Sequence, residues 1–314
     1  MDITQAFDKV WHTGLLYKLK KQLPHELYRL LKSYLENRHF YVNYQDERSK
    51  LQDIQSGIPQ GSVLGPTLYL IYTADIPIAE NTAMATFADD TALLAAHEDP
   101  EVASRLLQVG LHQIQNWLKL WRVRANESKS VQITFTTRKG KCPSVYLNNK
   151  PLPQVDSVKY LGIHLDKRLT WRSHIWAKRK QLGLKMRSMY WLIEKKSQLS
   201  AKNKILLYKT ILKPIWTYGI QLWGTAKISN IQIIQRFQSK VLRTIANAPW
   251  YVTNECLHSE FQIKTVNEVI KEFSQKYKNR LQSHPNKAAC ELLTESDKRR
   301  LKRYRPLDLP NRKF

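Results

Sequence analysis

Phe87-Ala88-Asp89-Asp90-Thr91-Ala92-Leu93-Leu94 decides how this chain is read. Two adjacent carboxylates stand between two apolar runs, Met84 to Phe87 before them and Ala92 to Ala96 after them. That pattern predicts a β-hairpin with the Asp pair at its tip. Adjacent strand residues point to opposite faces, and like charges held close together repel. Such a pair is either a solvated turn or a place where a divalent metal or another cation offsets the repulsion. A third carboxylate, Asp2, and a Gly/Pro-rich segment upstream make the pair part of a larger arrangement.

The arrangement is ordered. Asp2-Ile3-Thr4-Gln5-Ala6-Phe7-Asp8 comes first, then Ser56-Gly57-Ile58-Pro59-Gln60-Gly61-Ser62-Val63-Leu64-Gly65-Pro66, then Phe87-Ala88-Asp89-Asp90. In order and spacing these stretches resemble motifs A, B and C of the reverse transcriptases of non-long-terminal-repeat retrotransposons, mobile elements of the jockey type. Asn126-Glu127-Ser128-Lys129 resembles motif D of that family, and Val158-Lys159-Tyr160-Leu161-Gly162-Ile163 resembles the primer-grip motif E. The likeness continues into a thumb-like stretch, Tyr208 to Gly224.

The resemblance implies an RNA-directed DNA polymerase that copies RNA into DNA by two-metal nucleotidyl transfer. Its partners would be an RNA template, a DNA primer and deoxynucleoside triphosphates. Its cofactor would be two Mg²⁺ ions about 4 Å apart, with Mn²⁺ as an alternative. Mg²⁺ takes oxygen ligands in octahedral array. Asp2, Asp89, Asp90 and the backbone carbonyl of Ile3 would supply them, Asp2 and Asp89 as bridges and Asp90 more peripherally. Asp8 is the competing carboxylate, but it falls at the family's non-ligand position. Phe7 would lie under the incoming sugar and exclude a 2′-hydroxyl; its alternative is simple core packing. Pro59, Gln60 and Gly61 would line the nucleotide and template strand, or form a plain turn. Lys129 would protonate the leaving pyrophosphate, or be an ordinary surface lysine. Tyr160, Leu161 and Gly162 would set backbone against the primer end, or be a β-turn.

Charge supports a polyanionic partner. The chain carries 51 Lys and Arg against 26 Asp and Glu, a net of +25. Residues 1–100 are mildly acidic (9 basic against 13 acidic), 101–200 strongly basic (20 against 5) and 201–314 equally so (22 against 8). An acidic first part beside a basic remainder suits a metal site next to a nucleic-acid track. Residues 167–196 hold ten Lys or Arg against one Glu, interleaved with Trp171, Trp176, Tyr190 and Trp191. Lys178, Arg179, Lys180, Lys185 and Arg187 are the expected phosphate contacts, made without sequence preference. The tryptophans at helical spacing are expected mostly in the core.

At 42% apolar residues the chain reads as globular. Cys142, Cys256 and Cys290 form no CxxC or Cys/His cluster, so no structural zinc is expected, and a reducing, intracellular setting (cytoplasm and nucleus, not secreted) is. The start does not read as a leader peptide, and the most apolar stretch, Ile205 to Trp223, is interrupted by Lys209, Lys213 and Pro214, so no membrane association is expected.

The fold class expected is α+β: a polymerase palm, an antiparallel sheet with packed helices, followed by a basic helical thumb-like domain. The expected division is palm at 1–166, thumb-like domain at 167–255 and a partly disordered basic extension at 256–314. Periodicity predicts helices over Leu15 to Leu35 (broken at Pro24), from Thr67, over Pro100 to Trp121, from Ser200 to Leu212 (ended by Pro214) and over Ile231 to Ala246. In the Pro100 helix the expected buried face is Val102, Leu106, Val109, Ile114, Trp117, Leu118 and Trp121. Val131 to Thr136 alternates as a strand, and Asp297 to Phe314 reads as a loose tail. Relatives of the resembled family carry fingers and an endonuclease upstream of motif A, so the chain is expected to be N-terminally truncated. The alternative function is a catalytically inactive remnant, or a host-recruited protein, that only binds nucleic acid.

Overall fold

The computed structural model describes residues 1–138, 140, 142–294 and 304–313. The chain divides into two units, 1–134 with 139–155, and 135–138 with 156–314. Both are mixtures of helix and small antiparallel sheets.

The first unit opens with β1 (Asp2–Ile3), followed by α1 (His12–Gln22) and α2 (His25–Leu35), separated at Pro24 where the backbone lacks a donor. A two-rung β-arm follows: β2 (His39–Phe40), β3 (Asn43–Tyr44), β4 (Glu47–Arg48) and β5 (Gln52–Asp53), with β2 paired to β5 and β3 to β4. Next come α3 (Leu64–Thr73), β6 (Thr82–Phe87), β7 (Asp90–Ala95) and α4 (Pro100–Leu120). Then follow β8 (Ala125–Asn126), β9 (Tyr146–Leu147) and β10 (Lys150–Pro151). The main sheet runs β6-β7-β1-β8, every pair antiparallel.

Helix α4 starts where expected because Asp99 caps it, its side chain accepting from Glu101 N–H, with Pro100 in the first turn. It packs on β7 through Leu111, Ile114, Trp117 and Leu118. Val109, placed by periodicity on the buried face, is instead 49% exposed, and Gly110 takes the close approach to Leu93. Leu15 and Leu19 of α1 and Leu68 and Tyr72 of α3 form a second core with Ile3 and Val10. Lys18 is buried in this region, bonded to Asp75 and to the Tyr72 carbonyl, with its ammonium 3.5 Å from the Trp121 ring centroid. The expected strand at Val131 to Thr136 does not form. Only Gln132 makes a bridge, to Gln154, and its buried side chain bonds Val145 N–H and the Pro143 carbonyl. The bridge is made by backbone, Gln132 N–H donating to the Pro153 carbonyl and the Gln132 carbonyl accepting from Val155 N–H, and the side chain adds to it.

The second unit opens with the hairpin β11 (Ser157–Tyr160) and β12 (Ile163–Asp166). The Asp166 carboxylate accepts from the N–H groups of Arg168, Thr170 and Trp171, tying the hairpin to α5 (Arg172–Ser188). After α6 (Tyr190–Ile193) comes α7 (Ala201–Leu207), capped by Ser200 as expected. The helix does not stop at Pro214. It widens to a π-turn over Tyr208–Leu212, where Lys213 N–H reaches the Tyr208 carbonyl, and continues as α8 (Lys213–Thr217). A proline ring clashes with the preceding turn of an α-helix, and the wider i→i+5 turn relieves that clash. Helices α9 (Ile220–Trp223), α10 (Ile228–Ala246), α11 (Asn254–Glu260), α12 (Val266–Gln282) and α13 (Lys287–Cys290) complete the unit. One continuous core runs through it, with Trp216, Trp223, Tyr208, Leu182 and Ile231 essentially fully buried.

The expected loose tail falls partly outside the described residues. Within 304–313, a 3₁₀ turn at Pro306–Asn311 packs on α12, Leu309 is fully buried, and Arg312 donates to the carbonyls of Gly224 and Ala226 at 2.8 Å each. Among the described residues no helix is long and apolar enough to cross a membrane.

Candidate active site

The hairpin tip is Ala88-Asp89, with Ala88 at φ +51°, and Asp90 opens β7 opposite Phe87. Strand β1 pairs with β7 so that Asp2 lies directly opposite Asp90. Directly opposed residues of an antiparallel pair project to the same face. The Ile3 N–H reaches the Asp89 carbonyl at 3.3 Å, while the Ile3 side chain is 3% exposed and anchors β1 in the core. The fold therefore gathers Asp2, Asp89 and Asp90 at one end of the sheet, on residues held by backbone pairing.

On its other side β1 pairs with β8, Asp2 opposite Asn126. The Asn126 side chain accepts from Ser128 N–H, Ser128 Oγ and Lys129 N–H, an Asx-turn that folds Lys129 back toward Asp2. Lys129 Nζ lies 3.8 Å from Asp2 Oδ2, with the lysine 70% exposed. At that exposure the pair contributes little stability, and the ammonium stays free to turn to another anion.

Asp8 is held elsewhere. Gln60 Nε2 donates to Asp8 Oδ1 at 2.8 Å, and the backbones of Phe7 and Val10 accept from the Ile58 and Gly57 N–H groups. Gly57 sits at φ +90°, and a Cβ there would come within 2.9 Å of the Asp8 carbonyl. Only glycine fits so close an approach. Pro59 is half-buried, and Gly61, at φ +82°, faces open space. Phe7 stacks on Tyr69 of α3, ring centroids 4.8 Å apart.

Tyr69 was not singled out from sequence, where it reads as one apolar position of a buried helix. Its hydroxyl is enclosed and, among the described residues, unpartnered. Burial, and then the charge of Asp89, pushes its pKa up to about 12. It links the ring under Phe7 to the carboxylate end of the sheet.

The donor set is all hard oxygen, which suits a hard divalent cation and not a soft one. Pairing delivers two of the three carboxylates to opposed positions and the third to the adjoining turn. Among the described residues no three His, Cys, Asp or Glu side chains converge into a metal centre. Donor chemistry and register thus fit a divalent ion, while the three side chains stay unconverged.

The remaining expected site residues lie in the second unit. Leu161 and Gly162 form a tight turn, both left-handed at φ +45° and +76°. Tyr218 Oη donates to the Leu161 carbonyl at 2.7 Å and its ring backs Gly162. Tyr160 closes the ladder opposite Ile163. The five cations of α5 do not form one patch. Lys178 lies half-buried, 5.1 Å from the Tyr218 ring centroid, and burial followed by Lys159 lowers its pKa. Arg179 and Lys180 turn toward α10 instead. Lys185 is seven residues from Lys178 and Arg187 seven from Lys180, so each shares the face of its counterpart, and both are exposed. Of the three tryptophans expected mostly in the core only Trp171 is there; Trp176 and Trp191 are 52% and 67% exposed, and the neighbouring Tyr190 is 49% exposed.

Comparison with known proteins adds to this geometry. A protein family described as reverse transcriptase (RNA-dependent DNA polymerase) matches residues 1–165. The chain is 40% identical to the RNA-directed DNA polymerase from mobile element jockey of Drosophila melanogaster, over 99% of this chain and 36% of that protein. It is 40% identical to the "Probable RNA-directed DNA polymerase from transposon X-element" of the same species, over 99% of this chain and 35% of that one. The jockey polymerase of Drosophila funebris is 39% identical, over 99% of this chain and 36% of its own length. The chain thus spans about a third of the length of these relatives.

Proposed function

The chain belongs to the reverse transcriptase (RNA-dependent DNA polymerase) family, and on that premise we propose that it is the palm and thumb portion of a retrotransposon RNA-directed DNA polymerase. The observation that carries the reading is the β1–β7 register, which sets Asp2 opposite Asp90 with Asp89 at the adjoining turn. Residues 1–166 would be the palm and 167–255 the thumb-like domain, with 256–314 a basic extension.

In the reaction the primer 3′-hydroxyl loses its proton to solvent as its oxygen bonds the α-phosphorus of a deoxynucleoside triphosphate, the bond to the bridging oxygen breaks and pyrophosphate leaves. Asp2, Asp89, Asp90 and the Ile3 carbonyl would hold two Mg²⁺ ions, or Mn²⁺ in their place. When bound, such ions stabilise charge on the attacking and leaving oxygens. Lys129, exposed and near Asp2, donates a proton to the departing pyrophosphate. Phe7, held flat by Tyr69, presents a rigid ring that a 2′-hydroxyl would strike. Gln60 has its amide nitrogen fixed by Asp8, which leaves its carbonyl oxygen to meet nucleotide or template, and Gly61 leaves room for a close backbone approach. The Tyr160-Leu161-Gly162 turn bears on the primer end. Lys178, Arg179, Lys180, Lys185 and Arg187 hold phosphates.

A second reading, nucleic-acid binding without synthesis, is favoured by one observation: residues 201–314 hold 22 basic against 8 acidic side chains, well away in sequence from the three carboxylates. Primer extension separates the two. The purified chain is given an RNA template, a DNA primer, deoxynucleotides and Mg²⁺, beside Asp89→Ala. Extension by the parent and none by the variant supports the polymerase reading; RNA binding with no extension by either supports the second.

A further inference from the structure

Helices α5 and α10 enclose a cleft of about 860 Å³ within the second unit. Its sides carry Arg179 and Lys180 from α5 and Arg236 and Lys240 from α10, and among the described residues no acidic side chain lines it. Ile233 and Phe237 form the floor, and Trp176 stands at the edge, 52% exposed. The Arg179 guanidinium lies 4.8 Å from the Phe237 ring centroid, so one wall is already braced. On α10 the lining positions 233, 236, 237 and 240 fall on one helical face, and on α5 positions 176, 179 and 180 do the same. Two cationic edges therefore run either side of an apolar floor with a free indole.

Four cations on one cleft, none of them in an ion pair among the described residues, repel one another, and the arrangement is relieved by a polyanion lying between them. A phosphate backbone supplies that charge at regular spacing. The apolar floor and the exposed indole suit the flat face of a base, which a duplex hides and a single strand offers. An acidic peptide would satisfy the charges and leave the indole unused.

We propose that the α5/α10 cleft binds single-stranded RNA, with Arg179, Lys180, Arg236 and Lys240 on phosphates and Trp176 stacked on a base. The inference rests on the reading of the chain as one that handles an RNA template. It adds α10, which the sequence reading left out of the interface, and assigns Trp176 a contact.

The test uses the full chain and a fluorescent 15-nucleotide oligo(U), titrated at several salt concentrations. Trp176, Arg236 and Lys240 are exposed, so their replacement leaves the core intact. Trp176→Ala is expected to weaken binding about 10-fold and Trp176→Phe much less. Arg236→Ala with Lys240→Ala is expected to flatten the slope of log K against log[salt] by about 1.4, the loss of two phosphate contacts on a single strand. Removing the same charge elsewhere, as Lys195→Ala with Lys196→Ala, should have the smaller effect. Unchanged affinity in Trp176→Ala, an equal loss in the Lys195/Lys196 control, or tighter binding of polyglutamate than of oligo(U) would each overturn the proposal. Asp89→Ala in the extension assay reports on the polymerase reading alone, so the two can fail separately.

Discussion

In the first unit the candidate chemistry sits where three backbone segments meet at a sheet end; in the second the candidate contacts lie along helix faces over a single large core. The sheet end is specified by register. A one-residue slip of β1 against β7 would turn Asp2 to the other face and part it from Asp90. The helix faces are specified by spacing, and no single position decides them. Point changes should therefore act as switches in the first unit and as gradual losses in the second.

The largest expected effect breaks the first side of that contrast. Asp89→Ala should lower primer extension on the order of 10³-fold, the equivalent of several kcal/mol of lost charge stabilisation. RNA affinity should change less than twofold, measured by the oligo(U) titration. A smaller effect probes what holds the first unit together. Lys18→Ala removes a stem packed against Tyr72, Trp117 and Trp121 and should cost about 2–4 kcal/mol in denaturant unfolding, whereas Lys18→Met should be nearly neutral.

The second unit should answer to pH through His174. It is fully buried, accepts from His164 N–H at Nδ1 and has no partner at Nε2 among the described residues. Burial, with Lys178 and His164 adding, pushes its pKa down to about 4. The unfolded chain takes up a proton at His174 below its ordinary value of about 6.5 while the folded chain does not, so stability falls as pH drops from about 6.5 to 4. The loss should reach at most about 3 kcal/mol and be absent from His174→Asn, read as the difference between the two unfolding curves across that window. The smallest effect expected is at the hairpin turn. Tyr218→Phe removes one hydrogen bond to the Leu161 carbonyl and should cost about 1 kcal/mol in unfolding, with the ring still backing Gly162.

The same contrast explains what could be read from residues alone. The Asp89-Asp90 hairpin, α4 and α10 were legible because two apolar runs around a polar turn and a 3.6-residue period are local signals. Asp8 and Asp2 differ in surroundings that only the folded chain displays, one carboxylate on Gln60 and the other opposite Asp90. Val131 to Thr136 misled because only one residue of it, Gln132, finds a backbone bridge, and Pro214 because a π-turn can absorb its ring. Arg236 and Lys240 could not be joined to Arg179 and Lys180, since their helices are far apart in sequence and adjacent only in space. Tyr69 looked like core and is core, yet its hydroxyl is enclosed within reach of the Asp89 charge.

The central claim is a division of labour between the carboxylate end of the sheet and the basic helix faces. The direct test measures oligo(U) affinity and primer extension on the same preparations of parent, Asp89→Ala and Arg236→Ala/Lys240→Ala. The account predicts that Asp89→Ala keeps its RNA affinity and loses extension, and that the double variant loses affinity with a flatter salt dependence and regains extension when RNA is raised. Parallel loss of both properties in both variants would contradict it.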